Sequence, residues 1–388
     1  MILNGRAFDR RIAFVVAANF IAVAARMSLV TFLGIYFVRK AGIDLATVGV
    51  AFLCEHLVRG LAAPLFGALS DRVGRRPLLI GSAAITAVVL PCFLLVEGPA
   101  SLLVWSLALG ICGAVNMPVG TALLLDLAPP ERRQSALALN YTSMSVAYTL
   151  GVMPAGYVAE QGYGFLAASA ATGYVLVALL YLGLRGALPL EPAARVVVFD
   201  ALKDPRLLRF AAVAFVFPLS MGLVVSATPL FAADAGVGEG YIGLVLGANS
   251  ILVAALALPV AARIEARGPM RYLGTAALIV AATHACYAAI PGVAAALLVG
   301  TIVFSFAEVV FSSAVPATVA RLAPPGRRGA YQGTWALVAS ISMGSALFLG
   351  GLLRDALCWR AAWAVFAAIA LASAAVLMFR FSERPGEG

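Results

Sequence analysis

The chain has 388 residues, of which 63% are hydrophobic and only 12% are charged, and its formal net charge is +9. A typical soluble protein has about 25% charged residues, so this composition excludes an ordinary soluble domain. A charge of +9 would suggest nucleic acid in a soluble protein, but in so apolar a chain it favours a membrane protein with basic loops.

Long apolar runs and short polar loops alternate along the chain. A helix needs about 20 apolar residues to cross a bilayer, which leaves room for about a dozen spans. Because the loops are short, neighbouring helices must run antiparallel. The sequence predicts an all-α polytopic membrane protein with twelve transmembrane helices, at residues 12–37, 46–70, 78–96, 101–125, 135–159, 164–185, 208–232, 242–264, 271–290, 295–320, 329–353 and 359–380.

The basic residues are unevenly distributed between the two sides of the predicted membrane. With the amino terminus in the cytoplasm, 21 of the 27 Lys and Arg residues fall in cytoplasmic segments, 4 outside and 2 within spans. Cytoplasmic loops carry an excess of Lys and Arg, so both termini are expected in the cytoplasm. The first apolar run is too long for a cleavable signal peptide. We therefore expect a multi-pass protein of the cell inner (plasma) membrane.

Spans 1 and 2 carry ionisable side chains at membrane depth, where a charge is costly unless it is paired or hydrated. By the rise of an α-helix, Arg26 lies roughly 16 Å, Glu55 roughly 14 Å and Arg59 roughly 20 Å below the outer ends of their predicted spans. Glu55 and Arg59 are four residues apart, so they share one helix face. His56 points about 100° away from Glu55 and is expected to pack against a neighbour, with proton carrier as the alternative role.

A dense group of charges follows span 2. Residues 67–77 read GALSDRVGRRP, and their four charged side chains cannot lie in hydrocarbon, so the segment forms a tight loop at the membrane surface. Gly67 is expected to let helices approach closely, Gly74 to supply a turn with positive φ, and Pro77 to lie in the first turn of the next helix. The segment closely resembles the signature G-x-L-x-D-R-x-G-R-(R/K)-P, which lies between the second and third helices of major facilitator superfamily transporters.

This resemblance implies two pseudo-symmetric six-helix bundles that rock around a site at mid-membrane, and a transporter rather than an enzyme. It also implies that the loop latches the cytoplasmic side, with Asp126 at the end of span 4 paired to an arginine of the loop. A solvated carboxylate at a helix end is the alternative for Asp126. The predicted latch residues are Gly67, Asp71, Arg72, Gly74, Arg75, Arg76 and Asp126.

In such a transporter the charges at mid-depth would line the central cavity. Glu55 is the predicted proton carrier, with Arg26 and Arg59 as its partners, because burial favours the neutral carboxyl and a nearby arginine favours the charged form. The alternative is a permanent salt bridge between spans 1 and 2. Glu308 lies roughly 20 Å below the outer end of predicted span 10. It could balance the second arginine, titrate, attract a cationic substrate, or be protonated and bonded to Ser305 or Ser312.

Span 5 contains residues 151–156, GVMPAG, which resemble in degenerate form the Gly/Pro signature of drug/proton antiporters in the same superfamily. Gly and Pro deform a helix and permit close packing between the bundles. The family's G-P-x-x-G-G order is missing, and predicted span 4 lacks the arginine common in those antiporters. If proton transfer needs an intramembrane arginine, Arg26 or Arg59 must supply it.

The chain repeats itself. The segment LAPPERR at 127–133 returns as LAPPGRR at 322–328, and Pro64 in span 2 has a counterpart in Pro259 in span 8. The second copy of the loop has decayed to AARIEARGP at 261–269. We predict an N-terminal six-helix bundle at 1–185, a cytoplasmic linker with three prolines at 186–207, and a C-terminal six-helix bundle at 208–388.

Other polar and amphipathic side chains are predicted to face the substrate cavity, although each could equally make an interhelical hydrogen bond. These residues are His56, Asn116, Asn140, Tyr141, Tyr148, Asn249, Gln332 and Trp335. The five cysteines show no metal-ligand spacing, and the two histidines belong to no catalytic pattern. We expect no cofactor and no metal, and as partners a small organic substrate, protons and the lipid bilayer, with no nucleic acid and a monomeric protein.

The sequence therefore predicts a secondary active transporter that moves a small organic solute by alternating access, most simply as proton-coupled efflux. A proton symporter, a facilitator or a flippase for a lipid-linked substrate would have the same fold. A non-transporting membrane receptor is the remote alternative, since no soluble domain is evident to carry a signal.

Overall fold

The protein is almost entirely helical in a computed structural model, which describes residues 2–3, 6–7, 10–129, 132–184, 198–324 and 327–380. Two short strands, Ile2–Leu3 and Arg6–Ala7, pair antiparallel ahead of the first helix. A 3-10 helix at Val198–Lys203 precedes the seventh span. Residues 186–197 of the predicted linker lie outside the described residues.

The described residues form twelve spans, which are numbered here in chain order. Spans 1 and 7 contain a π-helical segment, and span 3 ends in a 3-10 turn. The spans are Arg10–Ile35 with Tyr36–Lys40, Leu45–Val73, Arg75–Val89 with Pro91–Leu95, Pro99–Leu127, Arg133–Gln161, Tyr163–Gly183, Pro205–Ala214 with Val216–Gly222, Leu223–Ala227 and Thr228–Asp234, Glu239–Arg267, Met270–Ala289, Val293–Leu322, Arg328–Ala356 and Trp359–Arg380.

Eleven of these described spans are long and apolar enough to cross a membrane by length and hydropathy. The remaining one, span 5, has 29 residues but is less apolar, because polar side chains such as Asn140, Thr142 and Ser143 interrupt it. Span 5 packs against span 1 on one side and span 8 on another, so much of it faces protein rather than lipid. The chain is thus a multi-pass, all-α membrane protein, as the sequence predicted.

Glycines with positive φ mark matching turns in the two halves of the chain. Gly42 (φ 68°) and Gly236 (φ 79°) precede spans 2 and 8, and Gly74 (φ 92°) and Gly268 (φ 85°) follow them. The left-handed region favours glycine because it has no Cβ. The decayed second copy of the loop therefore keeps the backbone turn of the first, although it has lost the charge pattern.

Contacts between the first six spans and the last six are concentrated in two helix pairs, spans 2 and 11 and spans 5 and 8. We call the end of the bundle that carries residues 67–77 the loop end, and the opposite end the far end. Glycines bring the paired helices close: a Cβ at Gly60 would lie 3.2 Å from Cβ of Ser340, and one at Gly243 would lie 2.8 Å from the carbonyl oxygen of Val152.

The close contacts of these two helix pairs lie in the far half of the bundle. On spans 2 and 11 they run from Leu45 and Gly351 at the far end to Gly60 and Ser340 near mid-depth. Tyr141, near the loop end of span 5, is 63% exposed. Toward the loop end of spans 2 and 11, a Cβ at Gly67 or at Gly329 would meet nothing within 4 Å, so the described contacts close the far end and leave these two helices apart toward the loop end.

Candidate functional site

Four ionisable side chains from spans 1 and 2 meet at mid-depth. Nη2 of Arg26 lies 2.6 Å from Oε1 of Glu55, and Nδ1 of His56 lies 2.7 Å from Oε2 of the same carboxylate. Nη2 of Arg59 is more distant, 3.7 Å from Oε2. The Glu55 side chain is only 3% exposed, whereas that of Arg59 is 26% exposed. The structure therefore brings together the predicted Arg26, Glu55 and Arg59, with Arg26 as the closer guanidinium.

Two glycines of span 4 make room for this cluster. A Cβ at Gly110 would lie 2.6 Å from the carbonyl oxygen of Glu55, and one at Gly113 would lie 3.0 Å from Cδ of Arg59. Small residues allow helices to approach closely in membranes. These two positions were not predicted from the sequence, although two glycines three residues apart in an apolar helix could have indicated a close approach of another helix.

His56 belongs to the cluster and also packs against the other half of the chain. Its Nδ1 contacts both Oε2 of Glu55 and, at 2.9 Å, the carbonyl oxygen of Phe52. Both partners are acceptors, so Nδ1 carries the hydrogen. Its Cβ lies against Gly344 of span 11, where an added Cβ would be 2.6 Å away. His56 therefore packs against a neighbouring helix, as the sequence predicted, and it also contacts the Glu55 carboxylate; its alternative role as proton carrier stays a prediction.

Glu308 of span 10 has a different environment. Its Oε2 accepts a hydrogen bond from Nδ2 of Asn249 at 3.0 Å, and Oγ of Ser305 donates to Oδ1 of Asn249 at 2.6 Å. Within the described part of the chain, the structure gives Glu308 no cationic side chain within 4.0 Å. The predicted direct bond to a serine is wrong: Ser305 acts through Asn249, and Ser312 instead donates to the carbonyl oxygen of Val309.

The charged segment at residues 67–77 binds two other helices of the first six spans. The predicted tight loop is confined to Gly74, since the residues up to Val73 belong to span 2 and those from Arg75 belong to span 3. Arg75 pairs with Asp71 at 3.5 Å and also with Asp126 of span 4, to which Nη2 donates at 3.3 Å. Arg76 donates to the carbonyl oxygens of Tyr181 and Leu182 at the end of span 6, at 2.9 and 2.8 Å. The predicted pairing of Asp126 with an arginine of the loop is confirmed. The close helix approach predicted at Gly67 is wrong in this conformation, because a Cβ there would meet nothing within 4 Å.

The remaining predicted cavity residues divide into two groups. Tyr141 and Tyr148 lie on span 5, which packs against span 8 of the other half, and Tyr141 is exposed. Asn140 instead accepts a hydrogen bond from Asn19 at 2.9 Å inside the first six spans. The other three are held by neighbouring helices: Asn116 by Thr86, Gln332 by the carbonyl oxygen of Pro316, and Trp335 by the ring of Phe210.

A second polar cluster, not predicted from the sequence, joins the two halves at the far end. Tyr163 donates to Oε1 of Glu239 at 2.9 Å, and the backbone N–H of Gly240 donates to Oε1 of Glu160 at 2.8 Å. Arg39 donates to the carbonyl oxygen of Ala233 at 2.9 Å. We call these three contacts the far-end clasp. In the described ranges there is no group of three or more His, Cys, Asp or Glu side chains suited to a metal ion.

Sequence comparison gives relatives of several kinds. A Na(+), Li(+), K(+)/H(+) antiporter of Planococcus maritimus is 31% identical over 127 residues, 31% of this chain and 29% of that protein. The multidrug resistance protein MdtG of Dickeya zeae (strain Ech586) is 33% identical over 112 residues, 29% of this chain and 27% of that protein. These alignments thus span less than a third of either relative. An uncharacterized MFS-type transporter, YqjV of Bacillus subtilis (strain 168), is 23% identical over 365 residues, 88% of this chain and 85% of that protein.

Solved structures share the whole architecture. The nucleoside transporter NupG superposes with a TM-score of 0.78 at 15% identity and covers 97% of this chain and 100% of its own. The human organic anion transporter MFSD10 superposes with a TM-score of 0.68 at 19% identity, covering 96% and 100%. At these identities the likeness establishes the fold alone.

The family model of the Major Facilitator Superfamily matches residues 15–238 and 210–388. Between them the two matches cover nearly the whole chain, including the charged cluster, Glu308 and the loop after span 2. The chain therefore belongs to the Major Facilitator Superfamily of membrane transporters.

Proposed function

We propose that this transporter exports a small organic solute in exchange for protons across the inner (plasma) membrane. Residues 1–185 and 208–388 would form two six-span bundles joined by the linker at 186–207, and these bundles would move against each other. The matching glycine turns and the concentration of contacts in two helix pairs support this division. An orientation with both termini in the cytoplasm, as the basic residues favour, makes the structure the inward-open state.

The contrast between Glu55 and Glu308 carries this proposal. Glu55 is surrounded by Arg26, His56 and Arg59, so protonating it would leave buried cations without their counter-ion. Glu308 binds Asn249, and the described residues place no cation within 4.0 Å of it. Glu308 can therefore take up or lose a proton without breaking an ion pair. Glu55, the proton carrier predicted from the sequence, becomes the second candidate.

Exchange follows if a proton and a cationic group of the solute compete for Glu308. The solute enters from the loop end and displaces the proton. The bundles then rock, which breaks the far-end clasp and opens the far end. A proton arriving there neutralises Glu308 and removes the charge that held the solute. The names of the relatives, an antiporter and a multidrug resistance protein, support export.

A proton symporter of the same fold is the alternative, and the placement of Glu55 between two arginines favours it. A solute anion that drew both Arg59 and Arg26 away from Glu55 would promote proton uptake by that carboxyl, whereas an anion bound to Arg59 alone leaves the 2.6 Å contact of Arg26 in place. The two mechanisms differ in the sign of the proton change on solute binding. A symporter takes up a proton with its solute, whereas the exporter releases one.

Everted membrane vesicles with a respiration-driven pH gradient test the proposal. A panel of small organic solutes is added, and the gradient is followed with a pH-sensitive dye. We expect at least one solute to dissipate the gradient in vesicles with the wild type but not in vesicles without the protein. Glu308→Gln should abolish this effect, and Glu265→Gln, an exposed carboxylate at the loop end of span 8, should retain it.

Solute counterflow that is indifferent to an uncoupler, with no solute dissipating the gradient, would show facilitated transport and contradict the proposal. Gradient dissipation that persists in Glu308→Gln would contradict the assignment of Glu308.

A further inference from the structure

Arg59 has hydrogen-bonding capacity that the described protein groups do not use. Its contact with Glu55 is 3.7 Å, too long for a hydrogen bond, and no other acceptor for its guanidinium is found among the described residues. A guanidinium carries five N–H donors in a planar fork that matches a carboxylate. The Arg59 side chain is 26% exposed and that of Arg26 is 11% exposed, so Arg59 is the more accessible arginine at mid-depth.

Glu308 has the complementary property on the other half of the chain. Asn249 occupies Oε2, and Oε1 has no donor among the described groups. A charged carboxylate has lone pairs on both oxygens, so Oε1 can accept from an ammonium group. Its partner Asn249 lies on span 8, which packs against span 5 of the other half, so this carboxylate lies beside the boundary between the halves.

The two groups lie at the same depth. Arg59 is 14 residues from the far end of span 2 and Glu308 is 15 residues from the far end of span 10. At the rise of an α-helix these separations are about 21 and 22 Å. Arg59 follows His56 by three residues on the helix surface, and His56 packs against Gly344 of span 11, so Arg59 too lies beside the boundary between the halves.

Charge balance relates the two groups. Arg26 and Glu55 neutralise each other as a close pair, which leaves one positive charge at Arg59 and one negative charge at Glu308. Unbalanced charges at membrane depth are costly. A solute with only a cationic group would leave Arg59 uncompensated, and a solute with only an anionic group would leave Glu308 uncompensated.

We propose that the solute is a zwitterion, with a carboxylate bound by Arg59, an ammonium group bound by Glu308, and an apolar or aromatic body beside Tyr141 and Tyr148. This inference rests on the proposed function in that it places the solute at Glu308. It adds the second contact and the chemical class of the solute.

Matched solutes that differ only in their charged groups test the inference without any measurement of transport. One set is phenylalanine, phenethylamine and 3-phenylpropionate; smaller sets are built in the same way on leucine and alanine. Binding to the purified protein is measured by thermal stabilisation over a concentration series. In at least one set, we expect the zwitterion to bind about tenfold or more tightly than both relatives with a single charge.

Variants assign each contact. Arg59→Gln should reduce the affinity for the zwitterion to that for the amine, and Glu308→Gln should reduce it to that for the acid. Arg59→Lys keeps the charge but loses the fork, and should give an intermediate affinity. Arg263→Gln and Glu265→Gln, exposed positions at the loop end of span 8, are the matched controls and should bind like the wild type.

Equal affinity for zwitterion and amine, or no stabilisation by any zwitterion in the sets, would overturn the inference. The outcome of the vesicle experiment is independent of the outcome of these binding measurements. Proton exchange with purely cationic solutes would keep the proposed function and remove the zwitterion, whereas zwitterion binding without proton coupling would do the reverse.

Discussion

Arg26 of span 1 and Glu55 of span 2 form a buried ion pair, with 2.6 Å between Nη2 and Oε1. The pair joins two helices at mid-depth, and Gly110 of span 4 lets the backbone of Glu55 approach closely. A buried pair contributes little compared with an apolar pair, but removing one partner strands the other charge. The pair is therefore expected to fix the arrangement of spans 1, 2 and 4.

Glu55→Gln should destabilise the protein by about 3 kcal/mol or more, because it leaves Arg26 without a counter-ion. The double variant Arg26→Gln/Glu55→Gln should recover part of the loss, since no stranded charge from this pair remains. Thermal unfolding in detergent measures both, with Glu265→Gln as the control. A melting temperature of Glu55→Gln equal to that of the wild type would remove the structural role of the pair.

Asp71→Asn should reduce transport by about fivefold or more while leaving membrane insertion intact, because the loop stabilises one conformation rather than the fold. Arg75 keeps its bond to Asp126 in this variant, so the helix ends should remain in place. Solute-induced gradient dissipation, corrected for the amount of protein in the membrane, measures the effect. Asp355→Asn removes an exposed carboxylate beside Arg354 and serves as the control. Transport by Asp71→Asn at the wild-type rate would refute the latch.

A disulfide across the closed far end should stop transport reversibly. A Cβ at Gly351 would lie 2.7 Å from Cγ of Leu45, so Leu45→Cys/Gly351→Cys brings two thiols together in a background without the five natural cysteines. Oxidation should block transport and reduction should restore it, because the far end must open. Gly274→Cys/Met378→Cys, which joins spans 9 and 12 within one half, should form a disulfide without blocking transport. Continued transport by the fully oxidised first pair would exclude opening at the far end.

Single cysteines at positions 98 and 238 should react with an impermeant thiol reagent from the periplasm, and cysteines at 130 and 195 only from the cytoplasm. The distribution of Lys and Arg gives this expectation. Labelling of intact cells and of everted vesicles separates the two sides. Reaction at position 195 from the periplasm would show that the orientation is the reverse of the one expected. The structure would then be open to the outside rather than inward-open.

The fold was largely predictable because its determinants are local in sequence. Apolar runs set the spans, residues 67–77 set the turn after span 2, and the four-residue spacing of Glu55 and Arg59 placed them together. The partner of Glu308 was not predictable, since Asn249 lies on another helix, 59 residues away. The far-end clasp escaped prediction for the same reason: Tyr163 and Glu239 meet only after the halves pack. The close helix approach expected at Gly67 depends on the conformation of the bundle, and in the observed conformation no helix lies near this glycine.

The proton change that accompanies solute binding tests the central claim most directly. Purified protein in weakly buffered detergent solution is mixed with a solute that dissipates the gradient in vesicles. The medium is followed with a pH indicator at a series of starting pH values. We expect proton release of at most one per solute bound, absent in Glu308→Gln and retained in Glu55→Gln and Glu265→Gln. Proton uptake on binding, or release that persists in Glu308→Gln, would contradict exchange at Glu308.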